Sequence, residues 1–100
     1  MFKVKAKFIG INSLGFIGGR IYEMVLINQP HIGKWIEVTT EKHKPRLRCE
    51  YNSWESFIPN WQILHFESMG GKHDAEVHYT KVNNGLKQSV RDYKISKVLS

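Results

Sequence analysis

A glycine pair followed by a run that alternates around three large side chains, Gly18-Gly19-Arg20-Ile21-Tyr22-Glu23-Met24-Val25-Leu26-Ile27-Asn28, constrains this chain more than any other stretch. Tyr22, Met24 and Leu26 fall on one side at the two-residue period of a strand, and the glycines mark the turn that leads into it. Such a strand is central and buried, so the segments around it are read as its partners.

Residues 2 to 9 supply the first partner. Phe2, Val4, Ala6 and Phe8 alternate with Lys3, Lys5 and Lys7, which places four apolar side chains on one face and three ammonium groups on the other. Residues 10 to 19 hold four glycines and read as a long loop. Ile11, Leu14, Phe16 and Ile17 are expected to fold back over the core, with Phe16 also able to line a groove. After a turn at residues 28 to 33, Lys34 to Thr40 is a third strand with Ile36 and Val38 inward and Trp35 on the other side. Glu41 to Pro45 is a charged hairpin tip, and Arg46 to Asn52 is a fourth strand with Leu47, Cys49 and Tyr51 against Arg46, Arg48 and Glu50. Ser53 caps a short helical turn that Pro59 ends, and Trp61 to Leu64 resumes extended structure.

The last third carries two signals. His65 to Ser68 continues a strand, and Ala75 to Val82, then Asn83-Asn84-Gly85, then Leu86 onward has the form of a β-hairpin, because Asn-Gly supplies left-handed turn geometry. Leu86, Val90 and Tyr93 also fit a helical spacing, so a helix capped by Asn84 is the alternative. Lys81, Lys87, Arg91, Lys94 and Lys97 make the segment basic in either conformation.

One hundred residues make one domain, 1–100, with a single modest core. A chain that is 41% hydrophobic is too apolar for intrinsic disorder. The formal charge of +6 favours an anionic partner or simply a soluble surface. Cys49 is the one cysteine, so no intrachain disulfide can form; its alternation with Leu47 and Tyr51 makes it a small buried hydrophobe. The start, Met1-Phe2-Lys3-Val4-Lys5, lacks the apolar run of a signal peptide, and the longest apolar run, Met24 to Ile27, is far too short to cross a bilayer. A cytoplasmic protein without a membrane partner is expected.

Together these residues resemble the SH3-like barrel plan over residues 2 to 64. Ile58-Pro59-Asn60-Trp61 is similar to the Pro-x-Asn-Tyr run that closes SH3 domains, and Gly19-Arg20-Ile21-Tyr22-Glu23-Met24 to the Gly-Lys-x-Tyr-x-Val strand of small bacterial and phage SH3-like proteins. The resemblance implies an all-β fold, a barrel of about five strands extended by the C-terminal hairpin at residues 65–100. It does not extend to proline-rich peptide binding, because the acidic loop and the aromatic Ala-Leu-Tyr-Asp-Tyr strand are missing. The expected core contains Val4, Phe8, Tyr22, Met24, Leu26, Ile36, Val38, Leu47 and Ile63.

Chemistry is sparse. His73-Asp74-Ala75-Glu76-Val77-His78 gathers possible ligands without a usual zinc spacing, and Gly70-Gly71-Lys72 lacks the remainder of a P-loop. No catalytic residue, cofactor or metal is expected, and the chain is read as a non-enzymatic basic binding module. One reading is a phage-type accessory protein that binds and modulates a host protein or complex through Phe16, Trp35, Trp54 and Trp61. The other is a DNA- or RNA-binding protein, in which Lys3, Lys5, Lys7, Lys34, Arg46 and Arg48 form one basic face with stacking aromatic rings.

Overall fold

The computed structural model describes residues 2–28, 36–42, 44–69 and 76–99. Five strands, β1 (Phe2–Phe8), β2 (Ile21–Asn28), β3 (Ile36–Thr40), β4 (Arg48–Tyr51) and β5 (Trp61–Ser68), form one antiparallel sheet in the order β4-β3-β2-β1-β5. β2 is therefore the middle strand, as its alternation requires. Between β4 and β5 come the single-turn helix α1 (Trp54–Phe57) and a 3₁₀ turn, Ile58–Asn60. Ser53 caps α1: its Oγ accepts from the Ser56 backbone N–H at 3.2 Å, and Ser56 Oγ accepts from the Ser53 N–H at 3.2 Å.

Strand register lines up the inward side chains. Phe2 pairs with Leu26, Leu26 with Val38 and Val38 with Cys49, so one row of four apolar residues crosses four strands. All nine expected core residues are buried, and Phe2, Ala6, Phe16, Cys49, Phe57, Trp61, Val82 and Leu86 join them.

The β1–β5 pairing contains a bulge. Lys5 faces His65 and Ala6 faces Ile63, which leaves Leu64 as the extra residue on β5. The slip reverses the sidedness of the strand: Trp61 and Ile63 point to the core before it, and Phe66 packs against the core after it, leaving His65 exposed.

The C-terminal hairpin does not form. α2 (Glu76–Leu99) runs 24 residues, straight through Asn83-Asn84-Gly85, and it starts eight residues before the Asn84 cap of the helical alternative. Val82 and Leu86 are fully buried and Val90 packs behind them, a stripe at four-residue spacing laid on β5. Burial of that stripe outweighs the turn preference of Asn-Gly, which costs a helix only about 1 kcal/mol at the glycine. The fold is thus a sheet with a C-terminal helix, not an all-β chain. No described helix is long and apolar enough to cross a membrane.

Candidate protein-binding surface

The loop between β1 and β2 is built around Phe16. Its ring is buried, with centroids 5.7 Å from Phe8, 5.1 Å from Tyr22 and 5.3 Å from Trp61. Backbone bonds close a small hairpin on this anchor: the Phe16 N–H donates to Ser13 O at 2.8 Å, and the Ser13 N–H to Phe16 O at 3.2 Å. Leu14 and Gly15 form its tip with φ of 52° and 87°, the two successive positive values of a type I′ turn. At the loop exit the Ile17 N–H donates to Tyr22 Oη at 2.9 Å, and the Gly18 N–H to Asn12 Oδ1 at 2.6 Å. The loop is therefore fastened at its tip, its anchor and its exit.

What this fastened loop presents is apolar. Ile11 is 90% exposed and Leu14 70%, and Ile9, Ile17 and Ile21 are each about half exposed. These are five of the seven large exposed apolar side chains among the described residues. The expectation that Ile11, Leu14 and Ile17 fold back on the core is corrected. Phe16 alone does so, because a hairpin two residues wide can turn only one large side chain inward while its tip projects away.

Beside the loop lies a basic cleft of about 490 Å³, lined by Lys5, Arg20, Ile21, Tyr22, Glu23, Lys42 and Lys44. The 40–47 hairpin carries Lys42 and Lys44, and the buried Thr40 secures its base by accepting from the Leu47 N–H through Oγ1 at 2.8 Å. Lys42 Nζ sits 2.7 Å from Glu23 Oε2; this hydrogen bond holds the Glu23 carboxyl below the usual carboxylate range and raises the Lys42 ammonium. Arg20 and Ile21 belong to both loop exit and cleft, so the apolar and basic surfaces are continuous.

The aromatic set proposed from sequence does not assemble into an open groove. Phe16 and Trp61 are core residues, each 2% exposed. Trp61 Nε1–H donates to Tyr51 Oη at 3.0 Å, and burial raises the Tyr51 phenol to about 12. Trp54 is partly exposed and packs against Phe57 at 5.4 Å. Trp35 lies outside the described residues.

Nor do the basic residues form one uninterrupted face. Lys3, Lys5 and Arg48 do project from the same side of the sheet, but acids interleave them. Lys3 is 3.7 Å from Glu41, Lys5 pairs across strands with Glu23, and Arg48 contacts Glu37 at 3.0 Å and Glu50 at 3.5 Å. Lys7 is half-buried opposite Ile21 and Gln62, Arg46 is exposed beyond the strand, and Lys34 lies outside the described residues. Glutamates on β2, β3 and β4 alternate onto the same side as the lysines, which is why one strand read alone shows only lysine.

Cys49 is buried as read, and burial pushes its thiol pKa up. Among the described residues no group of three or more His, Cys, Asp or Glu side chains is placed to hold a metal ion. His73 to Ala75 lie outside the described residues. The sequence places the aliphatic positions of the loop against the core, where the structure exposes them, and does not single out the cleft residues Arg20, Lys42 and Lys44 as a site. The usable signal was four aliphatic or aromatic residues inside a glycine-rich loop. No family model, curated protein or solved structure matches this chain.

Proposed function

We propose that the chain is an SH3-like, non-enzymatic binding module whose 9–21 segment docks on a partner protein, a host complex in the phage-type reading. The partner surface is an apolar pocket rimmed by carboxylates. The observation that carries this reading is the fastened loop: hydrogen bonds and the Phe16 anchor hold it in one conformation while Ile11 and Leu14 stand in water. Presenting aliphatic side chains to solvent forgoes about 1.5–3 kcal/mol each, which a partner pocket recovers, and a preset loop loses little entropy on docking. The adjoining Arg20, Lys42 and Lys44 supply the complementary charge for the carboxylate rim. The SH3-like assignment is supported by the strand order, by the long loop after β1 and by the 3₁₀ turn before β5.

The test is capture of partners from host lysate treated with nuclease, comparing the natural chain with an Ile11→Ser/Leu14→Ser variant. A partner retained by the former and lost by the latter, at equal thermal stability, supports the reading. Equal capture by both removes the loop from the interface.

A further inference from the structure

The molecule has a second basic surface, remote in kind from the loop. α2 carries Lys87, Arg91 and Lys94 on one flank at spacings of four and three residues, where helical side chains are neighbours about 5–6 Å apart. All three are exposed, and none ion-pairs with a described carboxylate. The opposite flank differs: there Lys81 Nζ is engaged 2.8 Å from Glu55 Oε1, and Asp92 faces a separate depression with Ile9, Ile58 and Trp61. The three free cations border a shallow groove of about 350 Å³ whose other lining residues are Phe66 and Val90, with no acid in it.

Phe66 reaches this groove because of the β5 bulge. Were Leu64 paired with Lys5 in an unbulged ladder, His65 would take the inward position of that strand and Phe66 the outward one. The bulge thus sets an aromatic ring at the foot of a row of cations.

We propose that this groove between α2 and β5 binds a single strand of nucleic acid, Lys87, Arg91 and Lys94 contacting successive phosphates and Phe66 offering a face or edge for an unpaired base. Cations that track a backbone beside an aromatic platform are the two requirements of single-strand binding. A duplex satisfies only the first, since its bases are stacked and paired and cannot reach a recessed ring. A lipid surface would need an exposed apolar face on the helix, and the apolar stripe Val82, Leu86 and Val90 is already spent on β5. An acidic peptide matches the charge but leaves the ring unused.

The experiment measures anisotropy of a fluorescein-labelled oligothymidylate with the full chain, against a duplex of equal length, poly-glutamate and phosphatidylglycerol vesicles. Three neutralised phosphates on a single strand predict a log–log salt slope near −2, an affinity loss of about 20-fold between 50 and 200 mM salt. Lys87→Gln/Arg91→Gln/Lys94→Gln, all at exposed positions, lowers affinity at least tenfold and flattens the slope, whereas Phe66→Leu weakens binding and keeps the slope. Ile11→Ser/Leu14→Ser leaves it unchanged, so failure here and failure of the loop reading are separable. No strand binding at 50 mM salt, binding by the triple variant equal to the natural chain, or equal preference for duplex, poly-glutamate or vesicles overturns the proposal. If Phe66→Leu destabilises the core through Phe2, whose ring is 6.3 Å away, the triple variant still decides.

Discussion

The indole of Trp54 rests directly on Gly85. A Cβ at that glycine would lie 2.5 Å from Trp54 Cζ2 and 2.6 Å from Cε2. The glycine of the Asn-Asn-Gly run is thus a close-approach site inside α2, and the ring of α1 is what the missing side chain makes room for. Gly85→Ala would favour an isolated helix by about 1 kcal/mol, but a rigid ring cannot yield as a flexible side chain does. A net loss of about 1–2 kcal/mol is expected by thermal or urea denaturation, from overpacking that exceeds the propensity gain. A more stable Gly85→Ala protein would show that Trp54 does not sit there.

Leu14 occupies left-handed backbone with a φ of 52°, a region that costs a branched apolar residue about 1–2 kcal/mol relative to its ordinary basin. Asparagine tolerates that conformation, so Leu14→Asn is expected to raise the melting temperature. The same change removes the apolar side chain at the hairpin tip. Partner capture should fall while stability rises, and a fall in both would mean that Leu14 packs rather than presents.

Phe16→Ala separates anchor from display. Removing a buried ring that touches Phe8, Tyr22 and Trp61 is expected to cost about 3–5 kcal/mol, much of a small domain's stability. Ile11→Ser, at a position 90% exposed, should change stability by no more than about 0.5 kcal/mol. Denaturation midpoints of the two variants check the contrast.

Arg48 sits between Glu37 and Glu50, so Arg48→Glu gathers three carboxylates on one patch of sheet. A loss of about 1 kcal/mol at low salt is expected, shrinking as salt screens it. Arg46→Glu, just outside the strand, should be near neutral. Equal effects would mean that the acids beside Arg48 do not matter.

Tyr51 provides the alkaline limit. Its phenol is raised to about 12 in the folded protein, burial being the larger cause and the hydrogen bond from Trp61 opposing it. The unfolded chain therefore loses this proton first, near its ordinary value of about 10, and deprotonation favours the unfolded state from there upward. The stabilising contribution is complete below about pH 10 and is lost as pH rises towards 12. In Tyr51→Phe, stability measured by denaturation should fall less steeply across that window, and an identical decline would exclude Tyr51 as its source.

The sheet was legible from the residues because alternation is a local property. Phe2 to Phe8, Tyr22 to Leu26 and Ile36 to Val38 each carry their inward set within one strand, and the two-residue period alone assigns them to the core. The Ser53 cap and the 3₁₀ turn at Pro59 are local as well, and were equally readable. The C-terminal third was not, since the Asn-Gly turn signal is weaker than the apolar stripe of Val82 and Leu86 once β5 is there to receive it, and Trp54 to cover Gly85. The candidate surfaces depended on tertiary structure for the same reason. Whether Leu14 or Phe16 turns inward, which lysines meet a glutamate across the sheet, and where the bulge aims Phe66 are set by partners far away in sequence. Composition determined that the chain is basic; only packing decided which cations stay free.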